Sequence, residues 1–250
     1  MDMKIEDYLA QGGVLTSPAN VPPRYRAELM KLMASFLDSE LAGAAGFADI
    51  INDGPGIKER IAAARIVLEK TDHADKVLTI MGDFGADTAR YANHHPWVAR
   101  LDRDADIGAR RGEHDMRLAV FNYTLSGWGD AVVMNLLMGR AVVVQLGDMQ
   151  MVSYQPLAEA FRAIAPVELR HAELAEEGLA RLIKDGQGGD LQASVAYWWP
   201  RVAESFGQGD AARFDHLRTM GLRHAERGAL LSRWQAEAGA ALGRVGLTVP

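Results

Sequence analysis

Apolar residues recur along this chain with a period near 3.6, and four long stretches carry the pattern. In the first, from about Tyr25 to Ile51, Leu29, Met30, Leu32, Met33, Phe36, Leu37, Leu41, Ala44 and Ala45 fall at helical spacing. The prolines of Val21-Pro-Pro-Arg24 stop any earlier helix and admit this one, so residues 1–22 read as an arm. Asn52-Asp-Gly-Pro-Gly56 is a turn, after which a second helix is predicted from roughly Ile57 to Phe84. The third runs from about Leu125 to Met151 and is strongly apolar between Trp128 and Met138. Its Gly127, Gly129 and Gly139 cost helix propensity and point to close packing. The fourth contains Phe161–Gly178 and reads as helix on both sides of Pro166, which should kink it just before Glu168. A loop at Lys184–Asp190 follows, and two amphipathic helices are then expected over Leu191–Phe206 and roughly Ala211–Val245. The aromatic cluster Tyr197-Trp-Trp-Pro200 in the former reads as packing against a bundle. No internal repeat and no second domain is evident, which leaves a single all-α domain over 1–250.

The polar residues that interrupt these stripes carry the candidate chemistry. Glu168 and His171 stand three residues apart, close to one helical turn, so both can reach one point. A carboxylate and an imidazole so placed suit a transition metal, although on its own the spacing is equally that of a solvated helix face. In ferritin-like carboxylate bundles two helices each supply Glu-x-x-His and two others each supply one carboxylate. Glu40 lies on or beside the first stripe, where a carboxylate is costly unless paired or bound to a cation. His73 falls among Ile66, Val67, Val77 and Ile80 of the second helix. Three residues before it stands Lys70, where the pattern wants a carboxylate, and four before it stands Glu69. Asp130 interrupts the apolar third helix, either as a ligand or as a partner of the free N–H groups at the helix start.

The connection from about Gly85 to Tyr123 has weak periodicity. Asp102, Asp104, Asp106 and Glu113 match four positions of a calcium loop, but Ile107 stands where that loop needs glycine. A solvated, partly helical crossover is the better reading, and a bundle needs one when its second and third helices run parallel.

Composition narrows the classes. Hydrophobic residues make up 48% of 250 and charged residues 24%, which suits a helical globular protein with a sizeable core. A formal charge of −6 with no dense Lys/Arg run argues against a nucleic-acid partner. The absence of cysteine excludes disulfides and thiolate sites. No signal-like start and no uninterrupted apolar run of about 18 residues is present, so a cytoplasmic protein with no membrane partner is expected.

Several motifs resemble the ferritin-like phenylacetic acid catabolic family, in particular its phenylacetyl-CoA epoxidase (phenylacetate-CoA oxygenase) A subunits. Pro23-Arg-Tyr-Arg with Ser39-Glu-Leu-Ala-Gly43 is similar to that family's first helix, and Phe121-Asn-Tyr-Thr-Leu-Ser with Trp128-Gly-Asp130 to its third. Glu168-Leu-Arg-His171 matches the fourth, and Tyr197-Trp-Trp-Pro and Gly246–Pro250 resemble the tail. The resemblance implies a non-haem diiron monooxygenase that activates dioxygen and oxidises an aromatic acyl-CoA thioester. Carried over by position, Glu40 and His73 would hold one iron, Asp130 and His171 the other, and Glu168 would bridge them. It also implies a related ferritin-like subunit or a second copy as partner, and a reductase as electron donor if the chain is active. The family's second bridging carboxylate falls on Lys70. A lysine ammonium there can bridge carboxylates in place of a metal, as in related non-catalytic subunits of the family. On that reading Lys70 pairs with Glu40 and Glu168, and Asp130, Glu168 and His171 are left to hold at most one metal. Alternatively Glu69 supplies the missing carboxylate. The two resulting functions are an oxygenase with an altered metal site and a metal-poor structural subunit of such an oxygenase.

Overall fold

The computed structural model describes residues 4–112, 115–186 and 190–250. Among them the chain is helical with no strand. The helices are α1 (Ile5–Ala10), α2 (Pro23–Ile50), α3 (Ile57–Asp83), α4 (Thr88–His94), α5 (Gly127–Met149), α6 (Gln155–Lys184), α7 (Leu191–Ala203), α8 (Ala211–Thr219) and α9 (Arg227–Arg244). The four long stretches of the sequence pattern are α2, α3, α5 and α6.

These four pack as a bundle of the ferritin-like type, α2 on α3 and α5 on α6, with α3 and α6 closing the ring. Helix directions follow from the contacts. Glu59 of α3 meets Arg181 of α6 while Glu69 meets His171, so α3 and α6 are antiparallel. A Cβ on Gly139 of α5 would touch Ala172 of α6 at 3.1 Å, and one on Gly178 would touch Val132 at 3.3 Å, so α5 and α6 are antiparallel as well. Helices α3 and α5 therefore run parallel, and the crossover between them is required. A Cβ on Gly139 would also lie 3.3 Å from the Ala172 Cα, so the lack of a side chain there lets the two backbones pass close, which accounts for a glycine in an otherwise good helix.

The crossover is partly helical. Asp87 caps α4 by accepting the Arg90 N–H at 2.9 Å, and a short 3-10 turn at Ala119–Asn122 leads into α5. In the acidic stretch Asp106 accepts the backbone N–H of Gly108, an ordinary turn bond, while Glu113 lies outside the described residues. The crossover is tied to the bundle by Asp38 of α2, which is fully buried. Its Oδ1 accepts Tyr91 Oη–H at 2.9 Å and the Trp97 indole N–H at 3.0 Å, and its Oδ2 accepts the Met116 N–H at 2.7 Å.

Helix α6 runs through Pro166, with helix on both sides of it. One expectation changes. The helix expected over Ala211–Val245 is two helices, because α8 ends in a left-handed turn at Gly221 (φ 62°) and buried Leu222 donates its N–H back to the Leu217 carbonyl. The N–H groups of His224 and Ala225 then bond to the buried Asp148 of α5. Helix α5 is long and apolar enough by composition to cross a membrane, but most of it is the buried centre of the bundle. Against it pack Trp198 of α7 and Trp234 of α9, both fully buried.

Candidate functional site

Midway along the bundle, α2, α3 and α6 each turn ionisable side chains inward. Glu40 comes from α2, Lys70 and His73 from the inner face of α3, and Glu168 and His171 from α6; all five are buried. The i, i+3 spacings of Lys70/His73 and Glu168/His171 give each pair one face, as the sequence pattern required.

Lys70 is the hub. Its Nζ lies 3.2 and 3.4 Å from the two oxygens of Glu40 and 3.1 Å from each oxygen of Glu168. His73 Nδ1 donates into the same gap, 3.0 Å from Glu168 Oε1 and 3.3 Å from Glu40 Oε2. Burial pulls the Lys70 ammonium toward its neutral form, but the Glu168 and Glu40 carboxylates outweigh it and raise its pKa above the ordinary lysine value. For His73 burial likewise favours the neutral ring, and the hydrogen bonds to Glu168 and Glu40 outweigh it, pushing the pKa up to about 9. Burial pushes the Glu168 carboxyl up, yet Lys70 first and then the two imidazoles hold it well below the usual carboxylate range. At neutral pH the Lys70 ammonium and the protonated His73 ring thus lie against an ionised Glu168, with Glu40 on the other side of the same gap.

His171 and Glu69 sit at the flank. His171 Nε2 bonds Glu69 Oε2 at 2.7 Å, while its Nδ1 lies 3.4 Å from Glu168 Oε1, outside hydrogen-bond geometry. Glu69 is half-buried at the rim and does not enter the space between Glu40 and Glu168. The structure therefore brings Glu40, Lys70, His73 and Glu168 together, with His171 and Glu69 beside them.

Asp130 is elsewhere. With Gly139 level with Ala172, the part of α5 facing Glu168 and His171 is around 139–142. At about 1.5 Å rise per residue Asp130 lies roughly 13 Å along the axis from that level. Its carboxylate is already saturated, with Arg103 Nη1 at 2.8 Å and Nη2 at 3.1 Å, the Ser126 N–H at 2.9 Å and the Trp198 indole N–H at 2.9 Å. Arg103 in turn lies 3.8 Å over the Tyr197 ring. The residual metal site expected from Asp130, Glu168 and His171 is not assembled. Asp130 instead fastens the crossover and α7 to the start of α5. Asp130→Ala should cost about 2 kcal/mol by leaving the Trp198 N–H and the Arg103 guanidinium short of partners, read as a lower urea midpoint at unchanged slope.

The donor set tests the fit of a diiron centre. Such a centre needs carboxylates from all four helices to balance two Fe²⁺ ions, and α5 offers Asn135, Met138, Gly139 and Val142 beside the cluster but no carboxylate. Lys70 holds an ammonium between the two carboxylates that would have to bridge. Single ligand atoms of Glu40, His73 and Glu168 do lie within 4.8 Å of one another, a spacing that one metal ion could use, but the same oxygens are the partners of Lys70. The residues present do not fit two irons.

Sequence reasoning missed Asp38, Asp115 and Arg117, all buried in the crossover's anchorage. Arg117 pairs with Asp115 at 2.5 Å and donates to the carbonyls of Pro96, Trp97 and Ala99. The signal for Asp38 was its position two residues before Glu40, on a helix whose apolar stripe it interrupts.

A bundle of four long helices with a parallel crossover, centred on carboxylates and histidines, defines the ferritin-like class. The chain belongs to the phenylacetic acid catabolic protein family, whose profile matches residues 7–250. A search of curated proteins gives no match.

Proposed function

We propose that this protein is a metal-poor, non-catalytic subunit of a ferritin-like oxygenase complex in phenylacetate catabolism, holding the bundle fold for a catalytic partner. The observation that carries the reading is Lys70 Nζ within 3.1–3.4 Å of four oxygens of Glu40 and Glu168. An ammonium there supplies the positive charge that a metal would otherwise bring, so the carboxylates remain buried without one. The family implies a multi-subunit oxygenase, and a catalytic subunit with a full carboxylate set is the natural partner in the cytoplasm.

A second reading, a mononuclear iron oxygenase acting on an aromatic acyl-CoA, rests on the Glu40, His73 and Glu168 ligand atoms. It requires Lys70 to leave or lose its proton, and the raised Lys70 pKa opposes the latter. The two separate in a reconstitution. Purified chain given reductase, NADPH and phenylacetyl-CoA is expected to consume no oxygen by itself, yet to raise turnover by a catalytic ferritin-like subunit of the same family. Substrate-dependent oxygen uptake by the chain alone would reverse the assignment.

A further inference from the structure

The side of the bundle between α2 and α5 is closed by the crossover. Those two helices touch far less than α2 and α3 or α5 and α6 do. Val120, Phe121 and Tyr123 of the crossover fill that side instead, over an apolar slot that reaches Lys70. This wall hangs on two neighbouring residues of α2. Asp38 Oδ2 accepts the Met116 N–H at 2.7 Å, and Ser39 Oγ accepts the Leu118 N–H at 3.0 Å. Whatever changes the hold of Asp38 therefore acts on the wall.

His95 is the unused ionisable group beside that anchor. Its ring lies 4.1 Å from the Tyr91 ring at 19° and 5.5 Å from the Trp97 ring at 11°, a three-ring stack. Both outer rings donate to Asp38 Oδ1. The His95 side chain is 19% exposed, so protons reach it, but its Nδ1 is buried without a hydrogen-bond partner, 3.8 Å from Asp38 Oδ1. A neutral ring leaves that atom unpaired, which is costly in a buried place. A protonated ring carries both an N–H and a charge there. An approach of about 1 Å then reaches the roughly 2.7–2.9 Å of a charge-assisted bond, with the cation held between two aromatic faces. The other charges nearby have their own partners. Asp115 pairs with Arg117, which donates to the Pro96 and Trp97 carbonyls, and Arg111, near Asp38, bonds to Ser35 and Met116. Burial and Asp38 keep the Tyr91 hydroxyl neutral by raising its pKa well above the ordinary tyrosine value. Among the described residues, His95 is the one cation-forming side chain within 4.0 Å of the Asp38 carboxylate.

We propose that His95 is a proton-operated catch on the crossover. Protonated, it closes on Asp38 and tightens the wall over the slot that leads to Lys70. Neutral, it releases that hold, and the wall opens more often. Histidine is the side chain that changes charge between about pH 5 and 8, so the crossover is tighter on the acid side of that range. The catch does not depend on the metal content or catalytic standing of the cluster, because none of its members belongs to it.

Hydrogen exchange of the purified full chain is the test, read by mass spectrometry and corrected for the intrinsic pH dependence of amide exchange. Wild-type peptides covering 95–101 and 115–123 should be roughly tenfold better protected at pH 5.5 than at pH 7.5. His95→Gln, which stays polar but takes up no proton, should show no such difference there. His95→Phe keeps the ring stack and should also be flat, which separates the proton from the packing. With two variants at the one position, the comparison survives if either fails to fold by circular dichroism. His94→Gln, at the exposed neighbour, should retain the wild-type difference. Peptides from α5, at the centre of the bundle, should respond to pH alike in all four proteins. Equal pH dependence of the crossover peptides in wild type and the His95 variants would overturn the proposal. So would a crossover that is looser at pH 5.5 than at pH 7.5, or a His94→Gln protein that loses the difference.

Discussion

Lys70→Ala is expected to lower the unfolding free energy by about 3–5 kcal/mol, because it removes one member of a buried ion cluster and leaves its partners uncompensated. Glu40 and Glu168 would then face each other across the gap with only His73 between them. For a chain of this size each kcal/mol moves the melting temperature by about 2–4 °C, so the expected drop is roughly 6–20 °C. The direction is not trivial, since hydrophobic replacement of a whole buried ion cluster is often neutral or stabilising. Lys70→Met combined with Glu40→Gln and Glu168→Gln should accordingly recover much of the loss. A Lys70→Ala protein that melts within 2 °C of the wild type would show that the three side chains do not share a buried cluster.

The second large effect is on pH. The folded pKa of His73, about 9, lies above the ordinary histidine value of 6.5, so its contribution is complete below about pH 6.5 and is lost as pH rises through 9. The shift corresponds to about 3 kcal/mol. Glu168 acts oppositely: its folded pKa is depressed, so its contribution is present above about pH 4.5 and disappears as the carboxyl protonates in acid. The groups facing His73 are Glu40 from α2 and Glu168 from α6, with Lys70 on its own helix, so the alkaline loss belongs to this cluster. Urea titrations should give the highest midpoint near pH 5–6.5 and a clear fall by pH 9.5, and His73→Asn should remove most of that slope. Stability that is level or rising between pH 6.5 and 9.5 would contradict the geometry assigned to His73.

The parts of this molecule that the sequence discloses are those set by local periodicity. The long helices α2, α3, α5 and α6 show through because each buries a stripe, and their ends carry punctuation such as Asn52–Gly56. Three of the four helices also reveal which side chains meet. Lys70/His73 and Glu168/His171 share faces by spacing, and Glu40 stands on its stripe. Asp130 shows where such reasoning stops. It sits on an apolar helix like the others, but whether it reaches the cluster depends on how α5 slides along α6. That register is set by Gly139 against Ala172 and Gly178 against Val132, close approaches that no spacing within α5 records. The same holds for Gly221, whose left-handed turn divides α8 from α9 because Leu222 and Asp148 reward the break.

The claim on which the functional reading turns is that Lys70 occupies, with its charge, the place a metal would take. Elemental analysis of the protein expressed in iron-rich medium, beside Lys70→Glu, tests it most directly. The wild type should carry far less than one iron per chain. Lys70→Glu removes the ammonium and adds a carboxylate between Glu40 and Glu168, so its iron content should rise with His73 and His171 as nitrogen donors. A wild-type protein that retains two irons per chain, with no gain on Lys70→Glu, would contradict the account.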